Sequence, residues 1–216
     1  MLSTASDHPF QNDFQAMVYR EEQKKLTRQR IVDAAGRGFR RGGYGGIGVD
    51  GLAKEAGMTS GAFYVHFDSK KAAFRESMLQ GMTELHDYVL HLQAEHGAAW
   101  WPEFVVFYLS TKRTCNLSES CALQSLPPEV ARLDESLRGE FEKELRGVAK
   151  AIAAGPPSPI APPNEESAYA ALALLTGTVT MARAVSSKAL SQKIADSALQ
   201  ILLPTFTEQK KIRKKK

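Results

Sequence analysis

Cysteine is scarce: two residues in 216, Cys115 and Cys121. That excludes the disulfide framework of a small secreted domain. With no His beside them, the pair does not make a zinc site either. The opening segment, MLSTASDHPFQND, has no basic start and no apolar run. No secretory leader is read there, so a cytoplasmic protein with reduced thiols is expected. Catalytic patterns are also missing. There are no paired carboxylates, no Ser-His-Asp order, no phosphate-cradling glycine loop and no metal-ligand spacing, and the five His are scattered. Neither an enzyme nor a cofactor is expected. Internal repeats and strand-like alternation are absent, so the expected fold is all-α.

What is present is unevenly charged. The whole chain carries a formal +4, and residues 20–70 alone carry +4. Residues 71–207 are mildly acidic, and the last nine residues, ending in KKIRKKK, are strongly basic. A basic N-terminal module suits a polyanion, whereas an acidic body disfavours nucleic acid wrapped all round.

Hydrophobic periodicity gives the helices. Residues 1–24 read as a flexible arm. A helix from Thr27, as N-cap, to about Arg41 places Ile31, Ala34, Ala35, Gly38 and Phe39 on one face, and GlyGly at 42–43 ends it. Short helices follow over 49–56 and 59–67, joined by a turn at Gly57. Asp68 or Ser69 starts a long helix reaching His96, and Trp100-Trp101-Pro102 reads as a break. Further helices are predicted over 103–111, 121–126, 129–154, 165–186 and 190–206. ProPro at 127–128 reads as a stop, and GPPSPIAPP at 155–163 as a loop.

The densest signal is Leu52–Lys70, LAKEAGMTSGAFYVHFDSK. It reads as two short helices meeting at a tight turn. Phe63 and Phe67 face inward at i, i+4 spacing. Thr59, Ser60, Gly61 and Ala62 offer a cap, hydrogen-bonding groups, close backbone approach and a methyl for thymine. Tyr64 and His66 can donate to phosphates, and Lys70 begins the next helix, where the dipole favours an anion. This is the build of a helix-turn-helix that reads the major groove. Periodicity alone leaves open a motif used only for packing.

From Thr27 to Met78 the pattern TRQRIVDAA…F…GGY…VDGLAKEAGMTSGAFYVHFDSKKAAF resembles the N-terminal domain of TetR/AcrR-type regulators, without a gap. SCALQSL, EVARLDE and LLTGTVTMARAVSSKALSQKI are similar to one subgroup's ligand domain. Ile47 and Gly48 stand where many members carry Thr or Ser, and Val65 where a polar or aromatic residue is common. The resemblance implies a bacterial helix-turn-helix DNA-binding domain over 25–71 and a helical effector-binding and dimerisation domain over 72–207, followed by a basic tail over 208–216. It implies double-stranded DNA with a palindromic operator as partner, contacted by Thr27, Thr59, Ser60, Gly61, Ala62, Tyr64, His66 and Lys70.

It also implies a homodimer through the last two helices. Ala168, Leu172, Leu175, Val179, Ile194, Ala198 and Ile201 are the candidate interface, and no membrane association is expected. An unidentified apolar or aromatic effector would occupy a pocket drawn from Tyr88, Leu92, Trp101, Phe104, Tyr108, Cys121, Leu123, Tyr169 and Thr176. The implied function is a repressor released from its operator by that effector. The alternative is a redox- or electrophile-sensing regulator acting through Cys121.

Overall fold

The computed structural model describes residues 9–204. Among them are ten α-helices, two short 3-10 turns and no strand. The basic tail lies outside the described residues.

Helix α1 runs Pro9–Gly46. It is longer than the periodicity predicts: the segment read as an arm is helical from Pro9, and Thr27 lies inside the helix instead of capping it. The apolar stripe begins only near Ile31, which is why the sequence pattern starts late. The predicted GlyGly stop is real, because Gly43 adopts φ 72°, which breaks the helical run. A Cβ there would also lie 2.8 Å from a Glu129 carboxylate oxygen. Helix α2 spans Val49–Glu55 and α3 spans Ser60–His66. Gly57, at φ 71°, makes the turn between them. Thr59 caps α3, its hydroxyl accepting from the Ala62 amide at 3.2 Å.

Helix α4 runs Lys70–His96, capped by Ser69, which accepts from the Ala72 amide at 3.1 Å. Gly97 ends it at φ 52°. The Trp-Trp-Pro break does not occur. These residues open α5, Trp100–Thr114. Pro102 sits in the first turn, where a backbone N–H has no intrahelical partner to lose. Helix α6 is Ala122–Ser125.

ProPro likewise starts a helix, α7, Pro127–Arg132. The single helix predicted over 129–154 is therefore two. Leu133 is extended, and Asp134 caps α8, Glu135–Ala153, by accepting from the Leu137 amide at 3.1 Å. Helices α9, Glu165–Ala184, and α10, Lys188–Leu202, complete the fold.

Two cores form. The N-terminal one gathers Ile31, Phe39, Leu52, Phe63, Phe67, Phe74 and Met78. It also recruits Ala122, Leu126, Val130 and Leu137, so the connecting helices α6–α8 belong partly to the small domain. The second core is built from α4, α5, α8, α9 and α10 around Trp100, Trp101, Phe104 and Tyr108. Helix α4 enters both. Lys71 pairs with Asp134, and Arg75 pairs with Glu140 at 2.6 Å, tying the start of α4 to α8.

Candidate DNA-reading helix and effector cavity

The reading helix α3 rests on Phe63 and on Phe67 just beyond its end, both buried. The opposite side is open. Tyr64 is 55% exposed and Val65 71%, while Gly61 and Thr59 are exposed and Ala62 and Ser60 half-buried. Large exposed side chains on so short a helix are not spent on the protein's own core. Ser60 is not free: its hydroxyl donates to the Asp50 carboxylate on α2.

Arg28 of α1 secures the other end of α3. Its guanidinium donates to the His66 carbonyl, pairs with Glu76 of α4 and lies 4.1 Å over the Phe67 ring. His66 is half-buried, and its Nδ1 is buried without a hydrogen-bond partner. Burial lowers its pKa, and the Arg28 and Lys24 charges lower it further. Lys70 lies over the Tyr44 ring at 4.4 Å. Thr27 is half-buried, one turn before Ile31 on α1. Of the eight candidate contacts, the structure brings seven together along α3 and the start of α4, with Thr27 on the neighbouring helix.

The second feature is a cavity of about 190 Å³ enclosed by α1, α4, α5, α6 and the turn Leu117–Glu119. Tyr88, Tyr108 and Cys121, three of the residues named for an effector pocket, line it. Leu92, Trp101, Phe104 and Leu123 are buried in the adjoining core and do not line it. Tyr169 packs against that core from α9, and the Thr176 hydroxyl donates to the Leu172 carbonyl at 2.8 Å; neither reaches this cavity. Sequence reasoning missed Arg40, Gly81, Phe107 and Lys112, which the fold brings to the same wall. Arg40 carries no signal of its own, because it reads as one more basic residue of the DNA-binding module.

Cys121 is buried beside Tyr108, 6% exposed at the cavity wall, and burial pushes its thiol pKa up. Electrophile sensing uses a thiol of lowered pKa, and this one is shifted the other way. The interface candidates also divide. Ala168, Leu172, Leu175, Val179 and Ala198 are buried in the protomer's own core, Ile194 is half-buried and Ile201 is 68% exposed. The large apolar side chains that α9 and α10 leave exposed are Met181, Leu190 and Ile201.

A capped reading helix on a three-helix head, attached to an all-helical body, defines a helix-turn-helix protein with a companion domain. Residues 31–76 match the family model described as "Bacterial regulatory proteins, tetR family". That match covers the head alone, from Ile31 of α1 to Glu76 of α4. Over 69 residues it is 35% identical to the HTH-type transcriptional regulator TtgR of Pseudomonas putida, covering 32% of each chain. Over 119 residues it is 26% identical to the HTH-type transcriptional regulator LmrA of Bacillus subtilis, covering 55% of this chain and 62% of the relative. The match thus spans about a third of TtgR's length. Among solved structures, the reduced form of E. coli NemR superposes with a TM-score of 0.64 at 21% identity, covering 82% of this chain and 96% of NemR. That likeness is one of fold.

Proposed function

We propose that this protein is a homodimeric, sequence-specific transcriptional regulator, acting in the cytoplasm as a repressor that a small molecule releases from a palindromic operator. The observation that carries this reading is the outward side of α3. Thr59, Ser60, Gly61 and Tyr64 are presented on a helix whose inward side is fully used by Phe63. A motif used only for packing would have its second side covered by apolar neighbours, whereas this one is open.

The roles follow from the side chains. Tyr64 and Lys70 donate to phosphates and set the register; His66 does so after small adjustment. Ser60, Gly61 and Ala62 meet base edges, which is where discrimination of about 1–3 kcal/mol per good contact arises. Thr27 adds a backbone contact from α1. Dimerisation through Met181, Leu190 and Ile201 would set two reading helices about one DNA turn, roughly 34 Å, apart.

The effector acts through differential affinity for two spacings of the heads. Helix α4 supports this. Its first turns pack on α1 and α8, and its middle, at Gly81, Leu85 and Tyr88, lines the cavity. Among the described residues, no helix is long and apolar enough to cross a membrane.

The test is selection of bound sequences from a random double-stranded DNA pool by the purified chain. Recovery of a palindrome establishes a dimeric reader. A folded chain that enriches nothing, with or without candidate effectors, overturns the proposal.

A further inference from the structure

The cavity holds polar hydrogen-bond donors that the protein itself leaves unused. Arg40 spends only its Nε, which donates to the Ser118 carbonyl at 2.9 Å. Among the described residues it forms no ion pair, and neither Nη donates a hydrogen bond. A half-buried guanidinium without a carboxylate partner is costly unless something else neutralises it. Tyr108 also lines the cavity and is 1% exposed; its hydroxyl has the Cys121 thiol beside it and no nitrogen or oxygen partner.

The carboxylates near the cavity do not fill this need. Glu84 and Glu119 line its rim and are exposed to solvent, and no contact joins either to Arg40 within ion-pair distance. Glu84 does act on Arg40 at longer range, opposing the downward pull of burial on the guanidinium pKa. Lys112, half-buried, donates to the Glu119 carbonyl at 2.9 Å and adds a second cation at the same wall. The remaining wall is apolar or aromatic, with Leu85, Tyr88 and Phe107.

Size narrows the ligand. A dry apolar cavity of about 150 Å³ holds one benzene ring. A cavity of about 190 Å³ therefore has room for one ring and a small polar group.

We infer that the cavity binds a small aromatic monocarboxylate, its ring against Tyr88 and Phe107 and its carboxylate held by Arg40 and the Tyr108 hydroxyl. This rests on reading the cavity as the effector site and specifies the effector's class. It also gives the ligand a direct hold on the DNA-binding module. Arg40 belongs to α1, three residues before the Gly43 break, while Ser118 and Tyr108 belong to the companion domain. A carboxylate that draws the guanidinium inward pulls on α1 without an intervening relay. A charged bidentate pair is the strongest hydrogen-bonded contact available to so small a molecule.

The test is titration calorimetry of the full chain with benzoate and trans-cinnamate against benzamide and cinnamamide. At least one acid is expected to bind ten times or more tightly than its amide. Arg40→Gln should remove that preference, Arg40→Lys should keep part of it, and Tyr108→Phe should weaken the acid more than the amide. Equal affinity for acid and amide, an unchanged preference in Arg40→Gln, or no binding by any of the four overturns the inference. Amide binding to the variants reports an intact cavity. The selected operator is then titrated with the same proteins. Acid binding without any DNA binding would keep this site and remove the regulatory reading. Operator binding without acid selectivity would do the reverse.

Discussion

Arg28 donates through Nη1 to the main-chain carbonyl of His66, so the first helix holds the last turn of the reading helix. The carbonyls at a helix end have no intrahelical donors, and a cation there also meets the negative end of the dipole. The same guanidinium pairs with Glu76 and covers Phe67. One side chain thus fixes α3 against both α1 and α4.

Replacing Arg28 by Ala should therefore loosen α3 more than a surface charge change would. A charge-assisted bond at a half-exposed site contributes about 1–2 kcal/mol. Thermal melting should drop accordingly, and operator affinity should fall on every sequence alike. A melting temperature within error of the parent would show that the grip is not structural.

Tyr64 and Ser60 should separate positioning from reading. Tyr64 is exposed, so Tyr64→Ala should change stability by no more than about 0.5 kcal/mol. It should cost about 1 kcal/mol of DNA binding, one hydrogen bond, with the preferred sequence unchanged. Asp50→Ala frees the Ser60 hydroxyl and should alter the selected sequence, as should Ser60→Ala. Identical selected sequences for all three variants would place base reading elsewhere.

Gly81 sets two effects against each other. Alanine gains about 1 kcal/mol of helix propensity over glycine. Here the new Cβ would stand 2.6 Å from the Ala122 Cβ, with the Ala122 backbone behind it. Overpacking of this kind costs about 1–3 kcal/mol, so Gly81→Ala should destabilise. A raised melting temperature would mean that α6 moves away freely.

His66 gives a pH dependence. Burial, then the Arg28 and Lys24 charges, depress its folded pKa below the ordinary 6.5. The unfolded chain therefore binds more protons than the folded one between the two values, and stability falls as pH drops through the unfolded value. Above that value the contribution is fully retained. Melting of the parent should decline from pH ~7.5 towards pH ~5.5 more steeply than that of His66→Gln, given the ordinary His value near 6.5. Parallel curves would show that His66 does not titrate in this window.

Ile201 and Met181 test the dimer. Both are more than half exposed, Met181 on α9 and Ile201 on α10. Ile201→Glu and Met181→Glu should leave the protomer's fold within about 0.5 kcal/mol. Sedimentation is expected to report a dimer for the parent and monomers for both variants, with loss of palindrome binding. A dimer unchanged in both variants would move the interface off this face.

Much of the reading head is legible in the sequence because its signals are local. Thr59 accepts from an amide three residues ahead, Gly57 turns at positive φ, and Phe63 and Phe67 are one helical turn apart. Each depends on a handful of neighbouring residues. Helix ends set by proline read the wrong way at Pro102 and at Pro127-Pro128. A proline stops a helix or starts one, and which it does is decided by the backbone before it. Apolarity, as a guide to the dimer face, selects the protomer's own core first. Leu172 and Leu175 go inward for that reason, while Met181 stays outside and escapes notice.

By itself the sequence determined an all-helical chain, the helix-turn-helix over 49–67 and the long helix Lys70–His96, because capping, turn chemistry and 3.6-residue periodicity act over a few positions. Only the tertiary structure decided that Arg40 of the first helix meets Tyr108 and Cys121 of the companion domain in one cavity, and that Ser60 is held by Asp50. Those partners are brought together by packing among helices distant in the chain, and nothing in the spacing of residues encodes which charged side chain the packing leaves without a carboxylate partner.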